Sequence, residues 1–133
     1  MVCIYCPNKT QVINSRLQKR SNTIWRRRQC LHCQNVFSTK ESADLAQALR
    51  MELSDGNLVP FDTYILFISL YESLKHRDDP ISDAHQLLDT VISDLLKLKL
   101  AIIPRHIIIN TASGVLKRFD KVSYIQYKAF HKL

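Results

Sequence analysis

Glycine is almost missing from this chain, with two residues in 133. So few argue against a β-sandwich or barrel, whose tight turns call for positive φ, and against a glycine-rich phosphate loop. No cysteine occurs after residue 33. The first residues have no apolar stretch behind a basic start, so no secretory signal is expected. The longest apolar runs, Tyr64–Tyr71 and Leu98–Ile103, are too short to span a bilayer. These absences predict a cytoplasmic location away from membranes, where thiols stay reduced rather than forming disulfides.

The apolar fraction of 46% suffices for a packed core, which excludes wholesale disorder. The net charge of +7 is unevenly spread. Residues 1–44 carry eight Lys or Arg against two acids, and residues 45–133 carry eleven against ten. That asymmetry predicts a basic module meeting a polyanion, joined to a nearly neutral partner domain.

Residues 1–40 have no helical period and read as short strands over Gln11–Ile13, Thr23–Arg28 and Asn35–Ser38, with turns at Pro7-Asn8 and Ser21-Asn22. Composition changes at Ser42–Asp44, which places one domain at 1–43 and a second at 44–133. In the second, Ala48–Leu53 and Leu58–Pro60 flank Ser54-Asp55-Gly56-Asn57, a hairpin signal. Helical periodicity follows. Ile65, Leu66, Ser69, Leu70 and Leu74 mark a first helix, and Ile81, Ala84, Leu88, Val91, Ile92 and Leu95 a second that starts at Pro80. Pro104, at a first-turn position, opens a third through Ile108, Ala112, Val115, Leu116 and Phe119. Val122, Ile125, Ala129 and Leu133 sketch a fourth. The expected class is α+β: a β-rich N-terminal module followed by a mainly helical domain with a β-hairpin.

All four cysteines fall into two Cys-x-x-Cys knuckles, Cys3-Ile4-Tyr5-Cys6 and Cys30-Leu31-His32-Cys33, with 23 residues between them. Each knuckle offers two thiolates from one tight turn, and two knuckles complete a tetrahedron around one zinc ion. With every position filled by sulphur, none is left for water, so the ion is structural. A small β-rich module with few bulky apolar residues needs that ion, which supplies on the order of 10 kcal/mol or more. A redox dithiol explains the pattern less well, because no βαβ unit surrounds either knuckle. His32 is a bystander to a complete site.

Arg16, Lys19, Arg20, Arg26, Arg27 and Arg28 fall within thirteen positions that contain no acid. Arg26–Arg28 lie on the strand leading into the second knuckle, and Arg16, Lys19 and Arg20 on the loop before it. Alternation places Ile24, Arg26 and Arg28 on one face, Trp25 and Arg27 on the other. A metal-braced strand presenting arginines suits phosphates and guanine edges; a merely soluble basic face is the bland alternative.

With these residues in view, the chain resembles the NrdR family, bacterial repressors of ribonucleotide reductase genes that join a zinc ribbon to an ATP-cone. "CIYC", "VINSR", "RRRQCLHC" and "FSTKE" match the family's ribbon blocks; "DG", "PFD", "KVSYIQY" and Arg77 match those of its cone. The resemblance implies contact of Arg16, Arg26 and Arg28 with a double-stranded DNA operator. It also implies a cone that senses ATP or dATP and alters a homo-oligomer, with Asp55, Gly56, Phe61, Arg77 and Tyr124 at the nucleotide. The chain departs from the family at Asn14 and Trp25 in the ribbon. In the cone, Leu53, Ser54, Ile65 and Gln126 stand where the family offers cations, and His131 where it has Tyr. An anionic triphosphate needs such cations, so weak or no nucleotide binding is expected.

No motif supports an enzyme. The five histidines follow no ligand or triad spacing, Asp78-Asp79 reads as a solvated helix junction, and Tyr124 and Tyr127 serve equally as adenine platform or core. An alternative function is a zinc-ribbon protein acting on RNA or with RNA polymerase, its cone mediating only protein assembly.

Overall fold

The computed structural model describes residues 1–131. The chain divides into two compact units, Met1–Ala43 and the remainder from Asp44. Together they make an α+β protein, an antiparallel sheet in the first and helices with a small mixed sheet in the second.

In the first unit, β1 (Thr10–Gln18), β2 (Thr23–Cys30) and β3 (Val36–Glu41) form a three-stranded antiparallel sheet in that order. Between Val12 and Asn14 the β1–β2 register slips, leaving Ile13 as a bulge. Almost nothing is buried here. Cys3, Cys30 and Phe37 make up the apolar core, and Thr23 is buried separately at the other end of β2. β1 is exposed along its whole length apart from half-buried Thr10. Such a sheet cannot hold itself together by apolar burial.

The second unit begins with a single turn, α1 (Leu45–Ala48), capped by Asp44. β4 (Arg50–Glu52) and β5 (Leu58–Pro60) pair as a hairpin, and Gly56 takes φ +86° at its tip, where a Cβ would be strained. α2 (Thr63–Glu72), α3 (Pro80–Leu96), α4 (Arg105–Phe119) and α5 (Lys121–Phe130) follow. Asp62, Asp79 and Asp120 cap three of these helices, each carboxylate accepting from a backbone N–H of the first turn. Between α3 and α4 runs β6 (Ile102–Pro104), parallel to β4. Leu70, Leu74, Val91, Leu95, Leu116 and Tyr127 are fully enclosed between the helices, and Ile103 closes the core from the sheet side.

The elements depart from expectation in three places. β1 is a nine-residue strand and so carries Arg16, which the sequence placed on a loop. Ala48 ends a helical turn instead of opening a strand. Pro104 terminates β6 and caps α4 from outside its first turn; lacking an N–H, proline suits either position. The fourth helix expected from the sequence reaches Leu133, which lies outside the described residues.

Candidate metal centre and nucleic-acid interface

The Sγ atoms of Cys3, Cys6, Cys30 and Cys33 lie within 4.8 Å of one another. Across the two knuckles, Cys3 and Cys33 are 3.7 Å apart and Cys6 and Cys30 3.5 Å. Ligand bonds of about 2.3 Å in a tetrahedron put sulphurs at about 3.8 Å, so these four thiols fit a zinc ion and leave no open position. One structural zinc per chain is the cofactor.

The knuckles repeat one another. The N–H groups of Tyr5 and His32 donate to the sulphur two residues earlier, Cys3 and Cys30, each at 3.3 Å. Asn8 donates its side-chain amide to Cys6 at 3.3 Å, and Asn35 donates to Cys33 at 3.4 Å. The backbone closes the same way twice, Cys3 N–H to Asn8 C=O and Cys30 N–H to Asn35 C=O. Burial raises the Cys30 thiol, but the N–H groups of Cys33 and His32 and the nearby thiols outweigh it and bring the pKa down to about 6. At Cys33 the hydrogen bond from Asn35 pulls the other way from burial and the three neighbouring thiols, which together push it up to about 11. Thiols so close cannot all ionise unless a cation sits among them.

Strand register sorts the basic residues onto two faces. Arg16 lies opposite Trp25, and Trp25 opposite Lys40; Arg27 pairs with Asn14 and Ser38. Cross-strand partners share a face, so Arg16, Arg27 and Lys40 surround Trp25 on a face with no acidic residue. Arg26 and Arg28 point to the other side. Arg26 forms an ion pair with Glu41, and half-buried Arg28 donates to Thr39 Oγ1 at 3.3 Å and Thr10 Oγ1 at 3.5 Å. The structure therefore divides the group that the sequence treated as one patch. Lys19 and Arg20 are exposed at the β1–β2 turn. Lys40 was missed: alternation along the third strand groups it with Val36 and Ser38, but only the register with β2 sets it beside Trp25.

Most of the candidate nucleotide residues are engaged with partners of their own. Asp55 accepts from Asn57, both from the backbone N–H at 2.9 Å and from the side-chain amide at 2.8 Å, and so closes its own turn. Phe61 is buried in the helical core. Arg77 donates to Asp83 at 2.6 Å, lies 3.9 Å from Asp120 and stacks over Phe119 at 4.6 Å. Asp83, foremost, holds its guanidinium charged. Tyr124 is half-buried, with Lys117 and Lys128 over its ring. Leu53 is half-buried, Ser54 and Ile65 are exposed, and none is cationic. These groups do not fit a bound triphosphate.

Three of the histidines, and the acid beside His76, have local partners. His76 Nε2 lies 2.9 Å from Asp120, His85 stacks on Phe67, and His131 stacks on Tyr127. Asp120 sits between His76 and Ser123, and the Ser123 hydroxyl and N–H, aided by His76, lower its carboxyl to about 2. No helix among the described residues is long and apolar enough to cross a membrane.

Comparison with known proteins agrees with the metal centre. The family model described as "Transcriptional repressor NrdR-like, N-terminal domain" matches residues 1–41. The transcriptional repressor NrdR of Bordetella pertussis (strain Tohama I) is 32% identical over 133 residues, an alignment covering 99% of this chain and 82% of the relative. That of Bordetella parapertussis (strain 12822) matches with the same identity and coverage.

Proposed function

The chain belongs to the NrdR family of transcriptional repressors, and we propose that it represses by gripping duplex DNA with the Trp25 face of its zinc-held sheet, while its second unit, an ATP-cone-like domain, governs assembly. The observation that carries this reading is the sorting of the arginines. Arg16, Arg27 and Lys40 stand free of acidic residues on one face, whereas Arg26 and Arg28 are engaged within the sheet on the other. Free guanidinium groups on a rigid support suit guanine edges and phosphates. Engaged ones brace the strand. Lys19 and Arg20, at the hairpin tip, add charge toward the backbone.

The second unit offers apolar surface to a second copy of this chain. Tyr64, Ile65 and Ile68 are exposed on α2, and Val122, Ile125 and Phe130 on α5. Singly such residues are ordinary, but clustered on one helix face they favour association. An adenine nucleotide is a poor ligand for this cone, because Arg77 is already neutralised and Phe61 is enclosed.

The test is to select duplexes from a random pool and measure binding of Ala variants over a range of salt. Arg27→Ala and Arg16→Ala should weaken the selected duplex by roughly 1–3 kcal/mol where the side chain reads a base edge. Where it holds a phosphate instead, the salt slope should flatten by about 0.9. Arg26→Ala and Arg28→Ala should act mainly on ribbon stability. The reverse ranking at full zinc occupancy would overturn the face assignment, and equal binding of selected duplex, random duplex and single strands would overturn the repressor reading.

A further inference from the structure

The corner between α4 and α5 is strongly cationic. From Lys117 to Lys128 the chain carries Lys117, Arg118, Lys121 and Lys128 against a single acid, Asp120. That acid is spent internally, since its carboxylate accepts from Ser123 and from His76. All four cations are exposed. Arg118 reaches Asp94 at 3.6 Å, a carboxylate that Lys97 also contacts at 3.4 Å. Lys117, Lys121 and Lys128 have no acidic partner among the described residues.

Two of these lysines share one aromatic ring. Lys117, from the last turn of α4, holds its ammonium 5.7 Å from the centroid of the Tyr124 ring, and Lys128, from α5, holds its own at 5.4 Å. The ring draws each cation to its π-electrons and so holds both ammonium groups at this corner. A polyanion lying along it would be attracted to both. Lys121, Tyr124 and Lys128 recur at helical spacing and line one stripe of α5.

Helix dipoles account for part of this charge. Lys117 and Arg118 end α4, and Lys128 ends α5, where cations are favourable. Lys121 is different, being the first residue of α5, where a cation opposes the dipole. Its placement costs the helix stability and calls for a partner outside the helix.

We propose that Lys117, Lys121 and Lys128 form a second phosphate-contacting surface, which binds the sugar-phosphate backbone of duplex DNA. The inference rests on the DNA-binding reading above and extends it to the second unit. Lysines act as point charges without the fork geometry that reads base edges. Three of them spread over two helices suit successive backbone phosphates and carry no sequence preference.

The experiment compares the full chain with the Lys117→Gln/Lys121→Gln/Lys128→Gln variant, titrating a selected and a random duplex over a range of salt. Removing one lysine–phosphate interaction flattens the plot of log K against log salt by about 0.9, so the triple variant should flatten it by about two to three. Both duplexes should weaken by the same factor. The corresponding triple Lys→Arg variant should keep the original slope, which separates loss of charge from loss of structure. An unchanged slope in the Gln variant, or weakening confined to the selected duplex, would overturn this surface while leaving the ribbon's role intact. No duplex binding by the unaltered chain would overturn both.

Discussion

Each sulphur of the tetrad has an N–H donor of its own, and for Cys6 and Cys33 that donor is an asparagine side chain two residues on. Hydrogen bonds of this kind spread the charge of four thiolates bound to one dication and fix the rotamers of the ligands. Asn8→Ala and Asn35→Ala should each lower zinc affinity about 10–100-fold, read by competition with a chromophoric chelator. Equal affinity in both variants would mean that the backbone N–H groups orient the sulphurs unaided. The Cys-x-x-Cys pairs were legible because metal ligation is written in local spacing. The two asparagines were not, because Asn after a turn is common for reasons unrelated to metals.

Among the elements, the four long helices of the second unit were readable, whereas the full length of β1 and the existence of β6 were not, for physical reasons. α3 joins a proline at its first position to an apolar stripe that repeats every three to four residues. β1 has no stripe, since both of its faces meet solvent and alternation has nothing to report. Its length comes from pairing with β2, and β6 likewise exists through its parallel pairing with β4, some fifty residues away along the chain. The split of the arginines between two faces was half legible. Alternation separated Arg27 from Arg26 and Arg28, but placing Arg16 and Lys40 with Arg27 needed the register of all three strands. On α2 the buried side carries Leu66 and Leu70, while Tyr64, Ile65 and Ile68 lie outward. Ile68→Glu places a charge on that outward side without touching the core, so it should lower the mean mass in sedimentation equilibrium while the thermal transition holds. An unchanged mass distribution would assign assembly to another face.

At the scale of the whole molecule, the two units solve stability differently. The second buries a continuous apolar core, whereas the first depends on its metal. In the second unit Leu53, Ser54, Ile65 and Gln126 bring no charge, and Arg77 is neutralised by Asp83 and Asp120. Calorimetric titration with ATP and dATP should therefore give no micromolar binding; a micromolar constant for either would contradict this. One charge-assisted hydrogen bond contributes about 1.5–3 kcal/mol, so two missing ones cost several powers of ten in affinity.

The central claim is that zinc creates the DNA-reading surface by fixing the sheet that presents Trp25, Arg16, Arg27 and Lys40. It is tested most directly by titrating selected and random duplexes with the full chain, first zinc-loaded, then stripped by a chelator, then reloaded. The account predicts strong preference for the selected duplex in the loaded protein, loss of that preference on stripping, and its return with one zinc per chain. Undiminished preference in the stripped protein would contradict it.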